Sequence, residues 1–318
     1  LEEDAVLGAA LRDYASFGER SPRLARPSNA GLMRAQPKAL RRLVQSWLSY
    51  EHDVLYYGPR SADEAAAILD RKTAPRSPGK PWVDRYRRVD ETTVFFLHED
   101  GAKATVWLVD PQPPLPRGER AVAELYEQVM DGNSGSLVFQ EIREARGLAY
   151  SAWLSHREGR TAADESAVLG GMSTQADKTP ESVRTYLELL ARPMQADRFD
   201  EAKGALDQVY RASRIDPRQL PYWVQAWDDA GDPEDPRRGQ WEALRSTTLA
   251  DVEAFAQRVR SRPLIIAVIG DRERVGLPQL RQLGPVVEVQ ASDLFSYGPF
   301  PPLEPESNGA AGQARKGS

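Results

Sequence analysis

A helix-like segment that leads into a short apolar strand occurs twice in this chain of 318 residues. The first strand-like run ends at Gly58 and the second at Gly270, an offset of 212 positions (270 − 58 = 212). A repeat of this length predicts the tail of one domain followed by a complete second copy. Chance similarity between two helix–strand ends is the alternative. At this offset apolar residues align with apolar residues: Leu40, Leu43, Trp47, Leu55 and Tyr57 with Val252, Phe255, Val259, Ala267 and Ile269.

The repeat and the composition between its copies divide the chain into four predicted parts. Residues 1–70 are expected to be the C-terminal part of a preceding repeat domain. Residues 71–88, rich in Lys, Arg, Pro and Gly, are predicted to be a linker. Residues 89–298 form the complete domain, and 299–318 are a flexible tail of Pro, Gly, Ala, Ser and charged residues. Because the first copy is incomplete, we expect a piece of a longer polypeptide.

The order of elements in the complete copy indicates its fold class. Two strand-like runs, Thr92–Leu97 and Ala104–Val109, flank a turn at Glu99–Gly101, which predicts a β-hairpin. Amphipathic helices follow in the middle, and the apolar strand Pro263–Gly270 comes near the end. This order predicts an α+β fold with a largely antiparallel sheet packed with helices.

The stretch from Gly132 to Tyr150 combines a Gly-rich turn, a short helix and the start of a strand. Apolar residues at helical spacing give the helix one buried face. Gly147 is placed to end the helix in a left-handed cap. Arg143 lies in its last turn and Tyr150 opens the strand, so a tight return can aim both side chains into one cleft. The alternative is a surface helix with solvated charges and a half-buried Tyr.

Composition argues against several kinds of site. The absence of Cys excludes disulfides and thiolate metal sites. The three histidines, His52, His98 and His156, are far apart, and none belongs to a His-x-x-Glu-His or His-Glu-x-x-His motif, so the chain lacks these zinc-binding motifs. A formal net charge of −5 argues against sequence-independent nucleic-acid binding. No apolar run approaches the ~20 residues that a membrane helix needs.

The run Phe139–Ser151, with the sequence FQEIREARGLAYS, resembles the hallmark of the pitrilysin/insulinase-type zinc peptidases, in their C-terminal, metal-free half. In this family that half carries an Arg…Tyr pair at the same spacing, which completes the active site across a large chamber. Carried over by position, the pair is Arg143 and Tyr150. The resemblance implies that Arg143 is a substrate contact. It implies that Tyr150 contacts the substrate and acts in catalysis beside the scissile carbonyl.

The same resemblance implies a function for the whole assembly. The chain would be the metal-free portion of a zinc metalloendopeptidase, inactive in isolation. The zinc and the catalytic base are expected on an upstream half or a partner subunit, and the substrate is expected to be a peptide. A non-catalytic structural or peptide-binding relative of the family is the alternative. A periplasmic or secreted location is implied at the level of the family only.

Two further patterns each allow two interpretations. The strand Leu169–Gln175 corresponds by position to a family strand near the chamber, where an extended substrate could add to its edge. The alternative is that its glycines serve close packing. Trp223, Trp227 and Trp241 are interpreted as core residues, with an aromatic substrate patch as the alternative. His156 is interpreted as a surface residue at the end of a strand.

Overall fold

The computed structural model describes residues 2–47, 49–69, 76–77, 83–132, 137–144 and 149–298. The helices in these residues are α1 (Glu2–Phe17), α2 (Asn29–Met33), α3 (Pro37–Trp47), α4 (Ala62–Leu69), α5 (Arg120–Asp131), α6 (Thr179–Ala191), α7 (Ala196–Ala212), α8 (Leu220–Asp229), α9 (Arg237–Ser246), α10 (Leu249–Arg260) and α11 (Leu277–Leu280). The strands are β1 (Thr93–His98), β2 (Lys103–Gln112), β3 (Ala149–Arg157), β4 (Ser166–Gln175), β5 (Ile265–Gly270) and β6 (Val286–Val289).

The six strands form one mixed sheet with the order β3-β4-β2-β5-β1-β6. The pairs β3–β4, β4–β2 and β2–β5 are antiparallel, whereas β5–β1 and β1–β6 are parallel. Helices α5 to α10 are interspersed between these strands along the chain and are concentrated in its middle. The predicted α+β class with a largely antiparallel sheet is therefore confirmed.

The hairpin predicted between β1 and β2 is wrong, because β5 lies between these two strands. All six residues of β5, Ile265–Gly270, are buried. A strand that is apolar on both faces is most stable at the centre of a sheet that is covered on both sides. The turn near Gly101 therefore connects β1 to a strand two positions away rather than to its neighbour.

The first face of the sheet is covered by α5, α6 and α10, which form the main hydrophobic core with it. Tyr126 of α5, Tyr186 of α6 and Phe255 of α10 are fully buried in this core. Large aromatic side chains bury the most apolar area per residue, so these three contribute strongly to the packing. At the start of α10, Thr248 and Asp251 form a capping box.

The second face of the sheet is covered by α1, which lies across β5 and also contacts β1 and β2. Ala10 and Leu11 of α1 are fully buried in a second apolar cluster, together with Phe95 of β1. Phe17 stacks on Tyr86 with the ring centroids 5.0 Å apart. Helix α1 thus packs on the complete copy, although the repeat assigns it to the preceding one. The division of the chain into domains stays a prediction.

Helix α3 of the first copy corresponds to α10 of the second copy, because the two helices begin 212 positions apart (249 − 37 = 212). Their surroundings differ. Val252 of α10 is 0% exposed and Phe255 is buried, whereas their counterparts Leu40 and Leu43 are each 51% exposed. The same apolar pattern therefore lies under a sheet in one copy and at the surface in the other.

The strand predicted at Asp53–Gly58, the counterpart of β5, is wrong for this structure, where the segment is irregular. A strand needs hydrogen-bonded neighbours, and in the described part of the chain no strand lies beside it. Of the predicted linker 71–88, residues 76–77 and 83–88 are described, and the predicted tail 299–318 lies outside the described residues. No described helix is long and apolar enough to cross a bilayer.

A carboxyl group is buried on β2. Asp110 is almost inaccessible to solvent, and its Oδ2 accepts a hydrogen bond from the Gln112 side chain. Among the described residues, neither its Oδ1 nor the nearby Tyr126 hydroxyl has a hydrogen-bond partner. Burial raises the pKa of Asp110 to about 7, although the charge of Arg262 and the bond from Gln112 oppose the shift. Asp110 therefore stays protonated over a pH range in which an exposed Asp is charged.

We predict that Asp110→Asn stabilises the protein at neutral and alkaline pH. Unfolded Asp110 loses its proton near the ordinary pKa of 3.8, whereas folded Asp110 keeps it up to a pKa of about 7, so the wild type loses stability as pH rises through this window. Asn has no such proton. By chemical denaturation, the variant's advantage in unfolding free energy should grow by about 4 kcal/mol across the window and then level off, because the folded and unfolded pKa values differ by about 3 and each pKa unit corresponds to about 1.4 kcal/mol. An advantage that does not change with pH would contradict this assignment.

Candidate functional site

The segment that carries Arg143 is helical, as predicted, but Phe139–Glu144 forms a π-helical turn rather than an α-helix. Single π-helical turns occur frequently at functional sites. The Arg143 side chain lies outside the described residues, and so does the return at 145–148 with the predicted Gly147 cap. Three apolar side chains in this turn or directly before it are buried in the main core: Leu137, Val138 and Ile142.

Tyr150 is the extra residue of a β-bulge near the start of β3. Ala149 and Ser151, two positions apart, pair with adjacent residues of β4. Side chains of a regular strand alternate between its two faces, so Ala149 and Leu154, which are an odd number of positions apart, would face opposite sides. Because of the extra residue, both face the main core. Bulges re-aim a side chain at the point where they interrupt the alternation. The Tyr150 side chain is accordingly turned out of the core and is 56% exposed.

The Tyr150 ring extends across the end of β4 to Lys103, the first residue of β2. The Lys103 Nζ lies 5.2 Å from the ring centroid, which is a cation–π distance. β4 lies between β3 and β2, so this contact spans three strands. Sequence reasoning missed Lys103. Its only signal is a charged residue at the start of a strand, which does not distinguish it from an ordinary surface Lys.

Three cross-strand rows on the second face border Tyr150, and we call them together the open face. They are, from the end of the sheet inward, Lys103–Gln175, Thr105–Ser173–Ser151 and Trp107–Gly171–Trp153. Apart from Gly171, every residue of these rows is at least partly exposed. Since α1 lies over β5, the open face is the part of this side that extends from β2 to β3. It combines a cation, hydroxyl groups and two indole rings.

β3 is an edge strand, and two carboxylates of α5 cap the C-terminal part of its edge. The Leu154 N–H donates to Asp131 Oδ2 at 2.9 Å, and the His156 N–H donates to Glu127 Oε2 at 3.1 Å. Unpaired N–H groups on an edge strand are otherwise a template for the addition of another strand. These two bonds leave no free donor in that part of β3, so strand addition is blocked there.

β4 is not an edge strand, because it lies between β3 and β2. The expectation that an extended substrate adds to the edge of Leu169–Gln175 is therefore wrong, and the alternative, close packing at its glycines, is confirmed. A Cβ atom on Gly170 would lie 2.5 Å from the Tyr186 hydroxyl, and one on Gly171 would lie 2.5 Å from the Trp153 indole. The Tyr186 hydroxyl itself donates to the Trp153 carbonyl at 2.6 Å.

Two other interpretations from the sequence need correction. Trp241 packs against the main core as expected, but Trp223 on α8 is 45% exposed, and Trp227 beside it is partly exposed. The interpretation of His156 as a surface residue is wrong. Its ring packs edge-on against Phe255 with the centroids 5.9 Å apart, and burial lowers the pKa of His156 to about 4.

Among the described residues, one group of side chains could in principle hold a metal ion: His98, Asp100 and Asp271, whose ligand atoms lie within 4.8 Å of one another. The His98 Nδ1 accepts the backbone N–H of Arg272 at 3.2 Å. A neutral ring then carries its proton on Nε2, the nitrogen that faces Asp100 at 3.4 Å. A metal ion needs that nitrogen unprotonated. The group therefore does not fit the ligand set of a catalytic zinc ion.

Comparison with solved structures identifies the fold. A peptidase M16 inactive domain from Pseudomonas fluorescens has a TM-score of 0.62 at 15% identity, over 83% of this chain and 65% of that one. A conserved protein from Enterococcus faecalis V583 has a TM-score of 0.62 at 13% identity, over 85% and 63%. A protease from Helicobacter pylori has a TM-score of 0.53 at 14% identity, over 76% and 60%. This chain thus spans less than two thirds of each.

The sequence itself identifies the family. No curated protein matches it, but the family model of the peptidase M16 inactive domain matches residues 35–206, more than half of the chain. The matched residues include the run Phe139–Ser151, on which the resemblance to the pitrilysin/insulinase-type peptidases rests. The chain therefore belongs to the peptidase M16 family, in the part that its model describes as the inactive domain.

Proposed function

We propose that this chain is the metal-free portion of an M16 peptidase and supplies substrate-binding and transition-state contacts to a zinc site on an upstream half or a partner subunit. The proposed reaction is the hydrolysis of peptides in an enclosed chamber. One observation carries the proposal: within the family motif, a β-bulge presents Tyr150 at the surface beside a cation.

The bulge supports a functional role for Tyr150 because it interrupts the regular pairing of β3 and β4. Such irregularities are common next to active sites, where they re-aim a side chain. A Tyr with a packing role would be expected to have its ring buried, yet more than half of the Tyr150 side chain is exposed. Its neighbour Ala149 fills the core position instead.

In the proposed reaction, the Tyr150 hydroxyl donates a hydrogen bond to the oxygen of the scissile carbonyl. This bond strengthens as negative charge develops on that oxygen. Arg143, placed by its position in the motif, holds the peptide backbone or a carboxylate through its planar guanidinium. A zinc ion bound by the other half would polarise the same carbonyl and activate the attacking water. This chain adds binding and charge stabilisation and is inactive alone.

The exposed face of α3 supports the presence of a preceding repeat domain. Four apolar side chains of α3 at helical spacing are each at least half exposed: Leu40, Leu43, Val44 and Trp47. Their counterparts in α10 are buried against the sheet: Val252, Phe255, Ala256 and Val259. An apolar stripe of this width is typical of a helix that packs on a core. We propose that a sheet of the preceding repeat domain covers α3.

Helix α8, like α3, has an exposed apolar face, and the corresponding face of α1 shows how such a face packs. Gly18 after α1 and Gly231 after α8 have positive φ angles of 63° and 79° and are 213 positions apart (231 − 18 = 213). With these glycines aligned, Leu7, Ala10, Leu11 and Tyr14 correspond to Leu220, Trp223, Val224 and Trp227. The α1 residues pack in the second apolar cluster, whereas the first three of the α8 residues are exposed.

The position of α8 relative to the first copy agrees with this comparison. α8 and residues 53–56 line one open groove, and residues 53–58 are the counterpart of β5. In the complete copy α1 packs on β5 itself. The two copies therefore support a reciprocal arrangement, in which α1 covers the sheet of the second copy and α8 covers the sheet of the first. The proposed occupant of the groove is the sheet of the preceding repeat domain.

We predict that the chain alone does not cleave peptides and that activity appears when its zinc-bearing half is restored in the presence of zinc. In the restored enzyme, Tyr150→Phe should lower kcat by about 100-fold or more, because the loss of one donor to the developing oxyanion costs about 2.7–4 kcal/mol. Arg143→Ala should mainly raise KM, since it removes binding that substrate and transition state share. Cleavage of a quenched-fluorescent peptide library measures both parameters.

Two control variants remove the same chemical groups elsewhere. Tyr297→Phe removes a hydroxyl that contacts Arg26, and Arg238→Ala removes an exposed guanidinium on α9. Neither should change kcat or KM. Cleavage by the chain alone would overturn the proposal. A restored assembly that cleaves nothing would instead assign the protein to the alternative, a non-catalytic structural or peptide-binding relative.

We predict that Trp223→Asp leaves the stability of this chain within about 1 kcal/mol, as for most substitutions of exposed residues, but prevents α8 from docking on the preceding domain. A carboxylate in an apolar interface is costly to desolvate. Hydrogen exchange should show α8 more protected when the upstream sequence is present, and Trp223→Asp should remove this gain. Val209→Asp, an equivalent change on the exposed part of α7, should keep it. Equal exchange of α8 with and without the upstream sequence would refute the reciprocal arrangement.

A further inference from the structure

The open face carries three hydroxyl groups in one row. Thr105, Ser173 and Ser151 lie side by side on β2, β4 and β3. In the part of the chain that the structure describes, none of these hydroxyls forms a hydrogen bond with another group. Neighbouring strands are about 4.8 Å apart, so the row spans roughly 10 Å, the length of about three residues of an extended peptide. Each hydroxyl can donate one hydrogen bond and accept two.

Two tryptophans border the hydroxyl row on its inner side. The Trp153 indole lies directly over Gly171, which leaves no room for a Cβ atom there. The Trp107 ring packs against Gly8 of α1 in the same way. Both rings are therefore held in place, and both remain partly exposed. Fixed aromatic rings beside adaptable hydroxyls suit the recognition of a peptide chain, because little conformational entropy is lost on binding.

Lys103 borders the row on its outer side. Its ammonium group lies against the Tyr150 ring, and its cross-strand neighbour is the neutral Gln175. No carboxylate of the described residues forms an ion pair with it. An ammonium without a counter-charge at the rim of a polar surface attracts anionic groups. Since Lys binds as a compact point charge, a single carboxylate is sufficient to pair with it.

We infer that the open face binds the segment of a peptide next to the scissile bond and that Lys103 pairs with a carboxylate of this segment. The carboxylate is either the side chain of an acidic residue or the C-terminal α-carboxylate. The hydroxyl row bonds the peptide groups, and the two indole rings pack on apolar side chains. This inference rests on the proposed function, because Tyr150 borders the same surface, and it adds a preference for acidic substrates.

Peptide binding to the chain itself tests the inference without the zinc-bearing half. Four fluorescein-labelled peptides of one length carry Glu or Gln at one internal position and end in a carboxylate or an amide. The Gln peptide that ends in an amide lacks both carboxylates and is the reference. Fluorescence anisotropy should show that a peptide with the preferred carboxylate binds about fivefold more tightly than this reference, the upper range for an exposed ion pair. This advantage should disappear in Lys103→Met and persist in Lys103→Arg. The comparison of Glu with a terminal carboxylate identifies the source of the charge.

Further variants separate the contributions of charge and hydroxyl groups. Ser173→Ala and Thr105→Val should weaken all four peptides alike, by roughly two- to fivefold, since each removes one neutral hydrogen bond. Lys178→Met, which removes a nearby Lys that is paired with Glu181, should change nothing. Equal binding of the four peptides, binding of none, or an advantage that survives Lys103→Met would overturn the inference. Failure of the proposed function is distinguishable, because it appears as unchanged kcat in Tyr150→Phe.

Discussion

The burial of β5 on both faces is the constraint on which the rest of the structure depends. Burial of each of its large apolar side chains contributes about 1.5–3 kcal/mol to the stability of the fold. These side chains point alternately to the two faces of the sheet, so both faces must be covered. This demands β1 and β2 as neighbours, α5 and α10 on one face, and a further layer on the other. Helix α1 provides that layer over β5. The open face exists because α1 covers the centre of the sheet and leaves the β4–β3 side accessible.

The same constraint explains which parts of the fold could be predicted. Apolar spacing identifies α5, α6 and α10 because each helix buries one side, and the strands are recognisable from their apolar runs. Pairing between strands is less accessible: the turn near Gly101 indicates only that β1 and β2 are close in sequence, whereas their separation depends on β5 from the far end of the domain. Leu40 and Val252 lie in equivalent patterns, yet Leu40 is exposed and Val252 is buried, because burial depends on what the rest of the molecule packs against each helix.

The candidate site is likewise divided into parts that the sequence predicts and parts that only the folded structure shows. The family motif points to Tyr150 and Arg143 as candidates, but a bulge is defined by the register between two strands, which no single segment contains. Lys103 reaches Tyr150 only because β4 brings β2 and β3 to either side of itself. Polar residues on strands can also be misinterpreted as exposed when only the sequence is considered. Asp110 and His156 would ordinarily face water, and here both are enclosed by helices of the first face, which shifts their pKa values in opposite directions.

The carboxylates of Asp131 and Glu127 on the edge of β3 have a consequence for the behaviour of the chain in solution. Uncapped edge strands of separate molecules pair with each other, and this is a route to aggregation and fibre formation. Here the cap belongs to α5, which packs on the same core as β3 and precedes it in the chain, so the protection is part of the same domain as the strand. Pairing of separate copies through the C-terminal part of β3 is therefore blocked, even though the apolar faces of α3 and α8 are exposed.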